Sequence, residues 1–158
     1  MTHTRALNTT LNTTLMMLAI FAASANLATA AEAPAGMIKT SKGNASIERD
    51  GKKSPVQPGA TLMASDRVVT GADGSVGITL RDETLLAVGP NSNVWLEKYA
   101  FDPTSHEGVL NATVKRGTLG VISGKLSKQS PGAVQFRTPT SILGVRGTEF
   151  VIDVKDGE

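Results

Sequence analysis

Few side chains of this sequence have the type and spacing that catalysis or metal binding needs. The two histidines are His3 and His106, and the chain contains no cysteine. Because zinc sites combine several Cys and His ligands, His106 alone predicts no metal site. Serines are plentiful, but no Gly-x-Ser-x-Gly elbow occurs, and a Ser-His-Asp triad would have to use His106. We therefore expect no catalytic residue, no metal ligand and no cofactor.

Two further patterns resemble catalytic motifs only superficially. The glycine-rich run Gly71–Gly77 lacks the lysine of a phosphate-binding loop, and no helical pattern follows it, so a hairpin turn explains it better. Asp82 and Glu83 are adjacent and would point to opposite faces of a strand, which makes them a poor acid–base pair. The sequence therefore predicts a protein that is not an enzyme.

One aromatic cluster could bind a partner. Trp95, Tyr99 and Phe101 lie at alternating positions of the segment 94–101 and are expected to share one face of a strand. Such a stripe could stack on a sugar ring or anchor a partner protein. Alternatively, the three rings fill a second layer of the core, because large aromatic side chains are usually well buried. The three residues are the candidate interaction face.

A short motif occurs twice. Arg116-Gly117-Thr118 recurs as Arg146-Gly147-Thr148, and each copy is followed by two variable residues and Val-Ile. A fixed offset of this kind is typical of stacked β units with a glycine turn in each. The two arginines could present paired guanidinium groups to a carboxylate or phosphate. Alternatively, each Arg and Thr braces its own turn through backbone carbonyls.

The segments that must position these residues are predicted to be short strands. Val76, Ile78 and Leu80 alternate with polar residues and are expected to point inward, while the apolar run Thr84–Val88 is expected to be buried on both faces. Asp50-Gly51 is a signal for a type I′ turn. Glycine and proline punctuate the chain at short intervals, and no segment carries a helical stripe of useful length. The predicted fold is an all-β domain, either compact and β-solenoid-like or a β-sandwich.

The first 30 residues have the organisation of a signal peptide. Arg5 precedes the apolar segment Leu15–Ala23, and Ala28-Thr29-Ala30 forms a cleavage site of the A-x-A type before Ala31. The apolar segment is well short of the ~20 residues that a membrane-spanning helix needs. We therefore expect an exported protein that is not an integral membrane protein. Residues 31–42 are small and polar and predict a flexible lead-in to the domain at 43–158.

The charge balance argues against a nucleic-acid partner. The leader removes one of the 16 Lys and Arg residues and none of the 14 Asp and Glu residues, which leaves a net charge of +1. Nucleic-acid binders cluster their basic residues on one face, and here no basic run exceeds two residues, as in Lys52-Lys53. Without cysteines, packing alone must hold the domain together.

Four blocks in order resemble the FecR domain. They are Val68–Leu80, Leu86–Leu96, Lys115–Ile122 and Phe136–Ile152, and the run Val-Arg-Gly-Thr-Glu-Phe in the last block is the most specific. The resemblance spans residues 43–154 and implies an extracytoplasmic, β-rich, non-enzymatic module. The motif positions, whose implied role is mainly structural, are Arg116, Gly117, Thr118, Gly144, Arg146, Gly147, Thr148 and Phe150.

The best-known members of that family are iron-uptake regulators that relay the state of an outer-membrane transporter to a sigma factor. They carry an anti-sigma segment and a membrane helix before the FecR domain and a further signalling part after it, whereas this chain starts with a leader and stops at Glu158. The relay is therefore not carried over. The resemblance implies a periplasmic binding module with a protein partner in the cell envelope, a protein-interaction or signalling adaptor. The alternative is a carbohydrate- or peptidoglycan-binding envelope protein.

Overall fold

The computed structural model describes residues 32–130, 132–145 and 149–155. The predicted signal peptide and the second motif copy, Arg146-Gly147-Thr148, lie outside the described residues. The described part contains the strands β1 Gly36–Lys42, β2 Ala45–Arg49, β3 Lys52–Pro55, β4 Thr61–Leu62, β5 Arg67–Thr70, β6 Ser75–Leu80, β7 Leu85–Val88, β8 Asn93–Phe101, β9 Gly108–Ile122, β10 Val134–Arg137, β11 Ile142–Gly144 and β12 Glu149–Val154, and the short helix α1 Lys125–Gln129. No helix among these residues is long and apolar enough to cross a membrane.

The strands form one curled, mainly antiparallel sheet organised around β9, and the all-β prediction is confirmed. The first part of β9 lies between β8 and β10 in half 1 of the sheet, whose order is β3-β2-β5-β8-β9-β10-β11. The last part of β9 lies between β7 and β12 in half 2, whose order is β4-β1-β6-β7-β9-β12. Only β9 and β10 pair in parallel among the described strands.

Gly117 marks the point where β9 passes from one half to the other. Its φ of +83° lies in the left-handed region that favours glycine, and a Cβ there would overlap Ser92. The partner strand changes at the same place, because Arg116 pairs with Asn93 of β8 and Leu119 pairs with Val88 of β7. Gly117, the glycine of the first motif copy, therefore allows the backbone of β9 to turn at the corner of the curled sheet.

The buried residues alternate along the strands as the sequence predicts. Val76, Ile78 and Leu80 are each at most 3% exposed, which confirms the predicted inward face of β6. The type I′ turn is also confirmed, since Asp50 and Gly51 both have positive φ, 50° and 74°. A single cluster of buried apolar side chains from both halves fills the interior, including Phe136, Leu110, Leu119 and Ile38 at 0% exposure.

Two predictions about the strands are wrong. The lead-in contains β1, and Ala35 and Ile38 are fully buried because β1 pairs with both β4 and β6. The run at Thr84–Val88 is not buried on both faces, because β7 alternates and exposes Leu85 and Ala87. The stacking of the two motif copies stays a prediction, because Arg146-Gly147-Thr148 lies outside the described residues; the strand that follows it, β12, pairs antiparallel with the end of β9.

Candidate functional site

A β-bulge separates the three predicted interaction aromatics. The pairing of β8 with β9 shifts its register between Leu96 and Lys98. The extra residue turns the second part of β8 over, so Tyr99 and Phe101 point inward at 9% exposure, while Trp95 lies on the outer face. The prediction that Trp95, Tyr99 and Phe101 share one face is therefore wrong. Nothing in the local alternation marks the bulge.

Tyr99 belongs to a buried polar network around Asp82. The Tyr99 hydroxyl donates to the Asp82 carboxylate, and Thr84 Oγ1 donates to the same carboxylate at 2.6 Å. The Gly124 N–H donates to Thr84 Oγ1 at 3.0 Å, so the network also fixes the start of α1. Burial and the nearby Asp82 carboxylate raise the pKa of Tyr99. The network binds structural elements together and is closed to solvent.

Phe101 lies at the end of β8 and packs against His106. The two rings are stacked with centroids 6.0 Å apart. The His106 N–H donates to the Asp102 carbonyl, and His106 has a φ of +59°, so it closes the turn that leads into β9. No cluster of three His, Asp or Glu side chains that could hold a metal ion occurs in residues 32–130, 132–145 and 149–155.

Trp95 lies between two cations on the outer face of half 1. Arg67 Cζ and Lys115 Nζ are 5.5 and 5.6 Å from the indole centroid, within the range of a cation–π interaction. The indole Nε1–H donates to the Ser65 carbonyl at 3.2 Å. A cleft of about 280 Å³ opens beside the ring. It is lined by Glu48, Asp50, Gly51, Ser65, Arg67 and Trp95.

The first motif copy braces a neighbouring turn. Arg116 Nε donates to the Asn91 carbonyl at 3.1 Å, and the Thr118 N–H donates to Ser92 Oγ at 2.9 Å. Thr118 Oγ1 donates to Asp153 Oδ1 at 3.1 Å, which links β9 to β12. The first two bonds reach across to the turn between β7 and β8. Arg116 therefore bonds a backbone carbonyl, as predicted, but this carbonyl belongs to a neighbouring turn and not to its own.

The other motif positions within the described residues lie near the C-terminal strands. Gly144 ends β11 and pairs with Gln135, and nothing lies within 4 Å of the place where its Cβ would be. Phe150 packs edge-on against Phe136, with ring centroids 5.4 Å apart. Phe150 thus attaches β12 to the core. The paired presentation of Arg116 and Arg146 stays a prediction, because Arg146 lies outside the described residues.

The outer face of half 2 carries an apolar trough that the motif search missed. One row of cross-strand neighbours contains three small residues, Gly120, Ala87 and Gly77, with Val151 at its end, and the adjacent row contains Ile122 and Leu85. The trough has a volume of about 300 Å³. Leu85, Ile122 and Val151 are 42%, 46% and 66% exposed, which is unusual for large aliphatic side chains.

The rim of the trough is charged at both ends. Lys39 lines it at β1 and Glu149 lines it at β12, and four strand spacings separate the two, roughly 19 Å. An apolar centre with a polar rim is the arrangement of a protein-interaction surface. The sequence did contain a signal, since Leu85 and Ile122 extend apolar character to the face of the strand opposite the core. At β7, the apolar run predicts burial on both faces, whereas the structure exposes one of them.

A comparison with known protein families identifies the family of this chain. The profile of the family described as "FecR protein" matches residues 66–158, which is more than half of the chain. The match begins just before β5 and includes β9, the trough strands β6 and β7, and β12. Neither the curated proteins nor the solved structures gave a significant match. The chain therefore belongs to the FecR protein family.

Proposed function

We propose that the protein is an exported FecR-type binding module that acts in the periplasm as a protein-interaction or signalling adaptor and catalyses no reaction. The family supports a regulatory role in the cell envelope, and the order of charged, apolar and small residues in the leader supports export. The observation that carries the proposal is the apolar trough of half 2. Its partner is a protein of the envelope.

The trough has the properties of a pocket for an anchoring side chain. Its floor consists of Gly77, Ala87 and Gly120, and the backbone lies open to an approaching group at Gly120, where a Cβ would meet only Ala87. Ile122 and Leu85 form an aliphatic wall beside this floor. Buried aliphatic or aromatic anchors supply most of the binding energy in protein interfaces. A partner that inserts one such side chain over Gly120 would cover apolar surface that otherwise faces water.

A substitution that fills the trough tests this role. A Cβ at Gly120 would lie 3.5 Å from Ala87 Cβ, an ordinary contact, and valine is favourable in a strand, so Gly120→Val is expected to fold normally. A photoreactive amino acid at Ile122 should give a specific envelope-protein adduct in cells, and Gly120→Val should remove it. The matched control carries the photoreactive group at Lys98, which is exposed in half 1. Identical adducts from both positions, or an adduct that survives Gly120→Val, would contradict the proposal.

Export is tested separately on the same cells. Cleavage between Ala30 and Ala31 predicts a mature protein in the periplasmic fraction whose first residue is Ala31. Intact-mass measurement of the fractionated protein checks this. Full-length protein in the cytosol would rule out the proposed location.

A glycan ligand is the second candidate, and the cleft beside Trp95 favours it. The indole ring offers an apolar surface, while Glu48, Asp50 and Arg67 offer hydrogen-bonding groups for sugar hydroxyls. Trp95 is the only tryptophan, so its fluorescence reports the cleft directly. Peptidoglycan fragments should change this fluorescence, and Glu48→Gln should weaken the effect. A flat titration would remove this candidate.

A further inference from the structure

Strand β12 presents the least protected edge among the described strands. The edge strand β3 carries Lys52, Lys53 and Pro55, and charges and proline are common protections of an open edge. The edge strands β4 and β11 have only two and three residues. β12 is longer, with six residues; it carries two charges, Glu149 and Asp153, but contains no proline and pairs with β9 without a register shift. Its other side pairs with no described strand.

The contacts of Thr118 establish which residues of β12 face this open edge. The Thr118 N–H donates to Ser92 Oγ, and its carbonyl accepts from the Gly89 N–H, so both groups point away from β12. Thr118 and its partner Asp153 therefore form a non-hydrogen-bonded pair, and the backbone groups of Asp153 face the open edge. Because the direction of the backbone groups alternates from residue to residue along a strand, the backbone groups of Glu149 and Val151 also face the open edge.

This backbone geometry restricts how two copies of β12 could pair. In an antiparallel pair, the N–H and C=O groups of two directly opposite residues either both point to the partner strand or both point away from it. The residues whose backbone groups face the open edge can therefore lie only opposite one another. These residues are Glu149, Val151, Asp153 and Lys155. A two-fold axis at Val151 places Glu149 opposite Asp153, and like charges at this position are destabilising. An axis at Ile152 instead places Glu149 opposite Lys155, twice by symmetry. Charge complementarity selects the axis at Ile152.

The same register matches the inward-facing apolar side chains. It places Phe150 of one copy opposite Val154 of the other, with Ile152 facing its own symmetry mate. Phe150 and Val154 are only partly buried in one copy, although both pack against the core. Pairing of two copies would cover them with side chains of the same kind. Backbone direction, charge and apolar surface thus favour one arrangement.

We propose that two copies of this chain associate through β12, antiparallel about a two-fold axis at Ile152, and join their half 2 sheets into one. This interface lies at the edge of half 2, whereas the partner trough lies on its face. The proposal goes beyond the proposed function. Glu149 and Val151 line the trough as well as the edge, so the two proposals are separated by Gly120→Val, which fills the trough without altering β12 and should leave the dimer intact.

Sedimentation equilibrium of the purified protein across micromolar to millimolar concentrations measures the association. The dimer should weaken roughly tenfold or more in Glu149→Lys, because two attractive pairs become two repulsive ones. The double variant Glu149→Lys with Lys155→Glu restores both pairs and should return to within about threefold of the original dissociation constant. Glu107→Lys makes the same charge change in an exposed turn at the opposite end of β9 and should leave the association unchanged.

Val151→Pro gives an independent test of the backbone argument. It removes an N–H from the open edge while leaving the ladder with β9 intact, so it should abolish the dimer without unfolding the protein. Circular dichroism melting checks that the variants are folded. A monomer at every concentration would overturn the proposal. An unchanged dissociation constant in Glu149→Lys would also overturn it, as would a double variant that associates no better than Glu149→Lys. The charge variants decide the question even if Val151→Pro does not fold.

Discussion

The Tyr99 hydroxyl donates to Asp82 Oδ1 at 3.2 Å and accepts from the Asp82 backbone N–H at 2.9 Å. This reciprocal contact joins the turn after β6 to the second part of β8. Asp82 is fully buried, and Thr84 supplies the other hydrogen bonds to its carboxylate. Because the Tyr99 hydroxyl bonds both the backbone N–H and the carboxylate of Asp82, it holds the turn after β6 in half 2 against β8 in half 1.

The titration of Tyr99 should be displaced to high pH. Burial and the Asp82 carboxylate raise the pKa of Tyr99, so the folded protein keeps the phenol proton while the unfolded chain loses it near pH 10. The contribution of Tyr99 to the free energy of unfolding is therefore complete below pH 10 and is lost as the pH rises further. Because Tyr99 is the only tyrosine, absorbance at 295 nm reports its ionisation directly.

The control for this titration is the same measurement in denaturant, where the phenol should ionise near pH 10. In Tyr99→Phe, the alkaline loss of stability assigned to the phenol should disappear. Ionisation of the folded protein near pH 10 would show that Tyr99 is not enclosed as described.

The two partners of the Arg49–Asp66 ion pair should differ in their effect on stability. Arg49 Nε and Nη2 each donate to the carboxylate of Asp66 at 2.7 Å, and the Met63 N–H donates to it at 2.7 Å. Arg49→Ala leaves the fully buried carboxylate without its cation and should cost about 3–5 kcal/mol. Asp66→Ala leaves a guanidinium that is 45% exposed and can be hydrated, so it should cost about 1–3 kcal/mol.

Urea unfolding of the two single variants measures this difference. Glu48→Ala is a suitable control, because its ion pair with Arg67 at 3.7 Å is partly exposed and should contribute at most about 1 kcal/mol. Equal losses from Arg49→Ala and Asp66→Ala would contradict the role assigned to burial.

Two glycines of β9 should respond in opposite ways to alanine. Gly117→Ala places a Cβ at positive φ against Ser92 and should cost at least about 1–3 kcal/mol. Gly120→Ala meets only an ordinary contact with Ala87 and should be neutral or slightly stabilising, by up to about 1 kcal/mol. Thermal unfolding of both variants checks this, and a stable Gly117→Ala would mean that β9 has no corner at this residue.

Two isoleucines of different exposure test the position of the core. Ile78 is 3% exposed, and Ile78→Ala should cost about 2–5 kcal/mol because it leaves a cavity. Ile142 is 69% exposed, and Ile142→Ala removes the same atoms but should change stability by less than about 0.5 kcal/mol. Similar melting temperatures for the two variants would show that the inward face of β6 is assigned incorrectly.

Much of the fold could be predicted from residues that act locally. The alternation of Val76, Ile78 and Leu80 predicted their burial, because side chains of a strand point to opposite faces in turn. Asp50-Gly51 predicted its turn, because few residue pairs tolerate positive φ at both positions. These signals depend on neighbouring residues alone, so they can be recognised without knowing the rest of the chain.

The candidate surfaces could not be predicted in this way, because they depend on which strands lie side by side. The bulge in β8 turns Tyr99 and Phe101 inward, and only the register with β9 determines its position. The trough exists because Gly77, Ala87 and Gly120 come from three strands that happen to align. The sequence by itself determined a β-rich chain with its corners at glycines. The tertiary structure decided which apolar residues face water, since pairing between distant segments fixes the face that each side chain occupies.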